Sequence, residues 1–372
     1  MKEITGSRFP LGWNQLSRAR LRTRPSVIST AVSQTIASQA PTLSVVFPAY
    51  NEEKWIGSSI DAVLVAAAEA DWKVEVVVVD DGSTDGTPAL LDGYADRHGV
   101  VVVHQENRGR FETVRAAIRK ASGERVLILG SRVVVDPHSL AFLKEQLVGH
   151  PERVVWNGHV RVESDGNPYA GFWNGLLQVL WRRYLKEPRL MSFGIEEFDA
   201  FPKGSGFFCA PKEMLESASA AFDSMFDDIR FASDDTRLIR WIAERERIHI
   251  SPDFSCSYYH GRESLAKFAK HAYFRGTTFI DGYLGNPGTS RKMALAALGA
   301  GAAGITLLAT RPRTAAVVGL AGTAAAGGVV KACGGSTADA TAVSRMLPVF
   351  AASFGAGAVR GLLLALKAKV RR

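Results

Sequence analysis

Cysteine is scarce. The chain of 372 residues holds three, Cys209, Cys256 and Cys333. They are odd in number and far apart, without a CxxC or Cys/His spacing, so neither a disulfide framework nor a zinc site is indicated. Buried or idle thiols in a reducing compartment are the plain reading. Residues 1–40 lack the continuous apolar stretch of a secretory signal. Their scattered Arg8, Arg18, Arg20, Arg22 and Arg24 read as part of a flexible basic arm over residues 1–42. No basic-aromatic recognition motif stands out, so nucleic acid is not the expected partner. What is present in excess is positive charge, 45 Lys and Arg against 37 Asp and Glu, for a formal net charge of +8. That suits nucleotide phosphates, lipid phosphates or an anionic membrane face. Apolar residues make up 47% of the chain, enough for a substantial core.

Short β-rich runs alternate with helical patterns. Leu43–Phe47, Val74–Val79, Val100–His104 and Arg125–Leu129 read as strands. Residues 51–70, about 87–98 and 112–121 read as helices, with Asn51 placed as an N-cap ahead of Glu52 and Glu53. The alternation predicts an α/β fold with a mostly parallel, doubly wound sheet. Ligands sit at the carboxyl ends of the strands in such sheets, so the polar turns after the first, second and fourth strands are the candidate chemistry. From Val154 to Tyr259 the pattern is less regular and rich in aromatic residues, suited to an acceptor pocket or to plain core.

Composition shifts near Ser290. Met293–Ala309, Thr314–Val330 and Leu347–Leu366 are apolar runs rich in small residues, the third interrupted by Arg360. A membrane span needs about 20 apolar residues, so the first two are short for one. Small residues favour helix packing in lipid. Residues 290–372 are therefore expected to be apolar helices associated with a membrane, against the alternative of a soluble helical cap or dimer interface. Basic residues flank both ends of each run, so the charge bias does not fix a topology.

Two turns carry the strongest signal: Pro48-Ala49-Tyr50-Asn51-Glu52 and Asp80-Asp81-Gly82-Ser83-Thr84-Asp85, one βα unit apart. A carboxylate at a strand end can accept from a base N–H or a ribose hydroxyl. Asp, Gly and Ser also form ordinary turns. Together the two segments resemble the P-x-Y-N-E and D-D-G-S-x-D motifs of family 2 glycosyltransferases, inverting enzymes with the GT-A fold. The resemblance runs roughly from Leu43 to Gly276. It implies a GT-A domain over residues 43–285 and a nucleotide-sugar donor. Asp80 or Asp81 would meet the base or ribose, with Pro48, Ala49, Tyr50 and Glu52 lining the same pocket. Asn107-Arg108-Gly109-Arg110 is similar to the family's N-x-G turn, where Arg108 or Arg110 can meet phosphate.

Further segments resemble the acceptor half of the family. Ser233-Asp234-Asp235-Thr236-Arg237-Leu238 is similar to E/D-D-x-x-L, which implies Asp235 as the base that deprotonates the acceptor hydroxyl, supported by Asp234. The same two acids would also suit a helix N-terminus. Lys203-Gly204-Ser205-Gly206 looks like the acceptor-side loop. Tyr258-Tyr259-His260-Gly261-Arg262 and Phe274-Arg275-Gly276 resemble the later basic region, placing His260, Arg262 and Arg275 toward the diphosphate.

One departure matters. The family usually carries D-x-D after the fourth strand, holding a divalent ion, Mg or Mn, against the donor diphosphate. Here Gly130-Ser131-Arg132 stands in its place. Three readings stay open: Arg132 supplies the positive charge directly, a metal is held elsewhere by Asp235 or His260, or the domain is degenerate. The leading functional expectation is transfer to a hydroxyl of a glycan, glycolipid or cell-envelope acceptor, with the catalytic domain on the cytoplasmic side of a membrane. Transfer to a polyprenyl phosphate and a non-catalytic sugar-nucleotide or glycan-binding relative are the alternatives.

Overall fold

The computed structural model describes residues 40–261, 263–285 and 289–371. The expected basic arm, up to residue 39, and Arg262 lie outside them. Residues 40–42 already belong to the domain. The Trp72 indole donates to the Pro41 carbonyl at 3.2 Å, and the Thr42 amide donates to Glu124 Oε2 at 2.9 Å.

Strands β1 (Leu43–Ala49), β2 (Val74–Asp80), β3 (Val101–His104) and β4 (Arg125–Leu129) lie parallel in the order β3-β2-β1-β4. The centres of β1, β2 and β4 are Val, Ile, Leu and Phe runs buried on both faces, as strands covered by helices on each side must be, while the edge strand β3 is only half-buried. Helices α1 (Ile56–Glu69), α2 (Thr87–His98) and α3 (Arg110–Lys120) supply that cover. The expected elements are present with one correction. Asn51 does not cap α1, which starts five residues later without a side-chain cap. Asn51 instead takes a left-handed backbone, φ 54°, which its short polar side chain tolerates. Its Oδ1 accepts from the Thr84 amide at 2.8 Å and its amide donates to Ser83 Oγ at 2.9 Å. The residue clasps the two motif turns together.

The chain continues through β5 (Val133–Val135), α4 (Ser139–Gly149), β6 (Val155–Asn157), β7 (His159–Glu163), α5 (Pro168–Leu180) and α6 (Arg182–Leu185). There follow β8 (Met191–Phe193), β9 (Phe207–Pro211), α7 (Lys212–Ala220), α8 (Asp234–Ala243), β10 (Ile248–Ile250), β11 (Ser255–Tyr259) and α9 (Leu265–Phe279). The main sheet extends as β4-β9-β6-β10-β8, with β9 and β8 running against the other strands. A small second sheet has the order β5-β11-β7. Pairing Leu129 with Phe207 brings the 203–206 loop to the tip of β4, where the Gly130 amide donates to the Gly206 carbonyl at 2.9 Å.

A π-helical turn, Ile280–Leu284, leads into α10 (Thr289–Thr310), α11 (Pro312–Ala332) and α12 (Thr337–Arg371). These cover the three apolar runs. The last helix extends well beyond its run, to 35 residues, with Pro348 inside it. One face of α12 is pressed onto the α/β domain through glycines that leave no room for a side chain. A Cβ at Gly175 of α5 would sit 2.8 Å from Val343 Cγ2. One at Gly276 of α9 would sit 2.0 Å from the Phe354 carbonyl, and one at Gly357 of α12 would sit 1.9 Å from the Tyr273 carbonyl. Arg360, the charge that interrupts the third run, lies on this same side. Its guanidinium stacks 4.1 Å from the Phe231 ring centroid, a cation–π contact. Helices α11 and α12 are long and apolar enough to cross a membrane, while the apolar part of α10, Ala294–Thr310, is shorter. Ile305 and Leu320 are 70% and 71% exposed, so these apolar faces are not core.

Candidate active site

Strand β2 delivers both acids of the D-D-G-S turn. Asp80 is buried; its Oδ1 accepts from the Ser83 amide at 3.1 Å and its Oδ2 meets His104 Nδ1 at 2.9 Å. That contact raises the His104 pKa above its ordinary value. Asp81 is also buried. Its carboxylate accepts from Gln105 Nε2 at 2.7 Å and from the amides of Arg108 and Gly109 at 2.9 Å each. The N-x-G turn therefore wraps around Asp81. Arg108 serves that turn through its backbone, and its side chain points to solvent. Gly109 has φ 85°, a conformation that suits glycine, and an added Cβ there would strike Arg230 Cγ at 2.9 Å.

The segment in place of D-x-D is built into the tips of β1 and β4. Ser131 is buried; its hydroxyl donates to the Pro48 carbonyl at 2.7 Å, and its own carbonyl accepts from Ser59 Oγ at 2.9 Å. Arg132 Nε donates to Glu52 Oε2 at 2.7 Å. Burial pushes the Glu52 carboxyl above its usual range, and the Arg132 guanidinium pulls against that. Gly261 makes the space for this guanidinium, since a Cβ there would sit 1.8 Å from Arg132 Nη1. Tyr50, from the same loop as Glu52, is 49% exposed. Pro48 and Ala49 lie within β1, their backbone tying the loop to Ser131 and to the Asp81 amide.

Helix α8 begins at the acid pair. Asp234 accepts from Arg110 Nη1, and Arg110 Nη2 donates to Ser205 Oγ at 2.7 Å. Arg110 thus joins the N-x-G turn, the 203–206 loop and α8. Burial pushes the Asp234 carboxyl up, with Arg110 opposing the shift. Asp235 Oδ1 accepts from the Thr236 amide at 2.7 Å. Both acids line a cavity of about 80 Å³, together with Arg110, Arg230, Phe274 and Arg275. Lys203, at the head of the acceptor-side loop, turns inward. Its Nζ donates to the Phe198 carbonyl at 2.9 Å, and burial lowers its pKa to about 8.

The expected residues gather in two separate clusters rather than one. Asp81 fixes the turn that carries Arg110, and Arg110 grips Asp234 and Ser205. Gly204 and Gly206 belong to the same loop, whereas Glu52 and Arg132 form a second cluster beside Gly261, next to His260. Three contributors escaped the sequence reading: Gln105, Arg237 and Asp281. The last carried a usable signal, a lone acid in the apolar run Phe279-Ile280-Asp281-Gly282-Tyr283-Leu284. Such an acid is rarely buried without partners. Among the described residues no group of three or more His, Cys, Asp or Glu gathers to hold a metal ion. Gly130 and Arg132 offer no ligand at the two acidic positions of D-x-D, so this donor set does not fit a divalent ion there.

The mostly parallel, doubly wound sheet, with Asp80 and Asp81 at the tip of β2, is the GT-A fold. A mannosyltransferase from Pyrobaculum calidifontis, solved in complex with GDP-Man and Mn2+, shares that fold at a TM-score of 0.52 and 21% identity, over 88% of each chain. The model of Glycosyl transferase family 2 matches residues 44–214, which hold both motif turns. Glycosyltransferase GlyG of Streptococcus pneumoniae is 32% identical over 130 residues, 34% of this chain and 42% of that protein. The dolichyl-phosphate beta-glucosyltransferase of Drosophila melanogaster is 35% identical over 149 residues, 36% of this chain and 46% of that protein. The chain spans less than half the length of these two relatives.

Proposed function

We propose that this protein is an inverting glycosyltransferase that moves a sugar from a nucleotide-sugar donor to a hydroxyl of a glycan, glycolipid or cell-envelope acceptor. One observation carries the reading: Arg110 physically joins the turn held by Asp81 to the Asp234–Asp235 pair. On this reading the nucleotide half and the acceptor half share one cleft. Asp235 takes the proton from the acceptor hydroxyl. The oxygen attacks the anomeric carbon opposite the leaving group, and the bond to the nucleoside diphosphate breaks with inversion. Arg132, held by Glu52, supplies positive charge to the departing diphosphate. No step is routed through a metal ion.

A lipid-phosphate acceptor is the second reading, favoured by the cavity itself. Arg230 and Arg275 bring cationic groups to its wall, and the helix that carries Arg275 is pressed onto α12. A phosphate oxygen needs no strong base to attack. On either reading the apolar faces of α10–α12 associate with a membrane, with the catalytic domain on the cytoplasmic side.

The test is a panel of UDP-, GDP- and dTDP-sugars, screened first for thermal stabilisation and then for release of nucleoside diphosphate with glycan or polyprenyl-phosphate acceptors. Asp235→Asn should lower turnover on a hydroxyl acceptor by about 10²- to 10⁴-fold with donor stabilisation retained. Unchanged turnover removes Asp235 as base. Stabilisation without turnover in the unaltered protein identifies a non-catalytic relative.

A further inference from the structure

Asp281 sits in the π-helical turn that joins α9 to the C-terminal helices, and its side chain is fully buried. A buried carboxylate persists where donors surround it. Here its Oδ1 accepts from Ser224 Oγ at 2.9 Å, the Met225 amide at 2.7 Å and Arg237 Nη2 at 3.0 Å. Its Oδ2 accepts from the Ser233 amide at 2.8 Å and from Arg237 Nε at 3.0 Å. Arg237 Nη2 also donates to the Asp281 backbone carbonyl at 2.8 Å. Two separate segments, Ser224–Met225 and the start of α8, thus end on one side chain. None of these contacts is made by Asp234 or Asp235 themselves.

Two of the anchored groups bracket the acid pair. Ser233 immediately precedes Asp234 and Asp235, and Arg237 follows one helical turn later. Gly282 brings the turn into close contact with that helix start, since a Cβ there would lie 2.7 Å from Ser233 Oγ. The first turn of a helix has amides without intrahelical partners and is free to fray. The Asp281 carboxylate occupies the amide just ahead of it.

We propose that Asp281 is a positioning residue for this reaction. Through Ser233 and Arg237 it fixes the start of α8, so that Asp235 faces the cavity, and it ties that geometry to the C-terminal helices. The inference rests on the role proposed above for Asp235. Asp281 is shielded from the cavity and touches no reacting atom; its effect is on where the carboxylate stands. An error of about 1 Å in such a group can cost about 100-fold in rate.

The experiment compares Asp281→Asn and Arg237→Lys with Asp235→Asn in the full-length protein. The probe is the stabilising member of the UDP-, GDP- and dTDP-sugar panel. Asp281→Asn places an amide N–H₂ where a carboxylate oxygen faces N–H donors. Arg237→Lys keeps the charge but loses the two-pronged contact, and it decides the matter should Asp281→Asn not fold. The expected result is a fall in kcat of about 10- to 100-fold at unchanged donor KM. The acidic limb of the kcat–pH profile should also be displaced, which a loss of folded protein would not produce. Wild-type kcat and pH profile in folded variants overturn the proposal, as does a change confined to donor KM. If Asp235→Asn is itself fully active, the proposed base fails instead; if it is inactive while the Asp281 and Arg237 variants are normal, only the positioning role fails.

Discussion

The guanidinium of Arg110 closes onto the carboxylate of Asp234 from the turn that Asp81 holds by two backbone amides. The side chains are 43% and 20% exposed, so the pair is partly shielded from water. A pair in that setting is worth more than an exposed one, and Asp234 is the member left in difficulty when its partner goes.

Arg110→Gln is therefore expected to lower stability by about 1–3 kcal/mol at neutral pH. The pH dependence follows from the upward shift that burial imposes on Asp234. Without Arg110 that shift grows, and the aspartate becomes neutral at a higher pH. The cost of the substitution should be largest near pH 8, where the carboxylate is charged and alone, and smallest near pH 4. Thermal unfolding of both proteins across that range checks it; a gap that widens toward acid contradicts the assignment.

Arg132 and Glu52 give a second prediction. Arg132→Ala should weaken stabilisation by the nucleoside diphosphate about tenfold or more, since a charge-assisted contact to phosphate contributes about 1.5–3 kcal/mol. Arg132→Lys should recover part of it. Turnover should persist in excess EDTA. Abolition of turnover by EDTA, with recovery on adding Mn2+, would move charge neutralisation from Arg132 to a metal held elsewhere.

His104 bridges Asp80, at 2.9 Å, and Asp92, at 3.2 Å. Its pKa is raised above the ordinary 6.5, first by the Asp80 hydrogen bond. A base whose folded value is raised contributes stability that is complete below its unfolded value and is lost as pH rises through the folded one. His104→Gln should therefore lower Tm more at about pH 5 than at about pH 9. The ring is 42% exposed, so solvent screening keeps the effect small. A larger gap at alkaline pH would contradict it.

The seam between α9 and α12 gives a fourth. Gly357→Val forces side-chain atoms into the Tyr273 carbonyl, whose distance from a plain Cβ is already 1.9 Å. A loss of about 1–3 kcal/mol is expected from overpacking. Gly355→Val, four ångströms clear of any such neighbour, is the control and should be near neutral. Equal melting temperatures for the Gly357 variant and the parent would mean that the helices do not meet there.

The parallel half of the fold was legible because its elements are set by short-range pattern. Val74–Val79 can hardly be anything but a buried strand, and helix α2 occupies the span its periodicity predicts. Asn51 was misread because a local capping signature and a contact to a turn 33 residues away use the same side chain. Arg132 was legible as a departure from D-x-D, but its pairing with Glu52 across 80 residues was not. Arg360 looked like a flaw in an apolar helix, since sequence alone does not give the face on which the Phe231 ring waits. Asp281 needed two distant segments to converge on it before its role had meaning.

Helix α9 shows Phe274, Arg275 and Thr278 to the cavity, while Gly276 between them meets α12 through bare backbone. Side chains frame this backbone contact: Thr277 Oγ1 donates to the Gly357 carbonyl at 3.1 Å, and the Phe279 and Phe354 rings meet with centroids 5.3 Å apart. The same stretch of α9 therefore faces the cavity on one side and α12 on the other. The cavity thus has a wall whose back is seated on α12, a helix that contributes no residue to its lining.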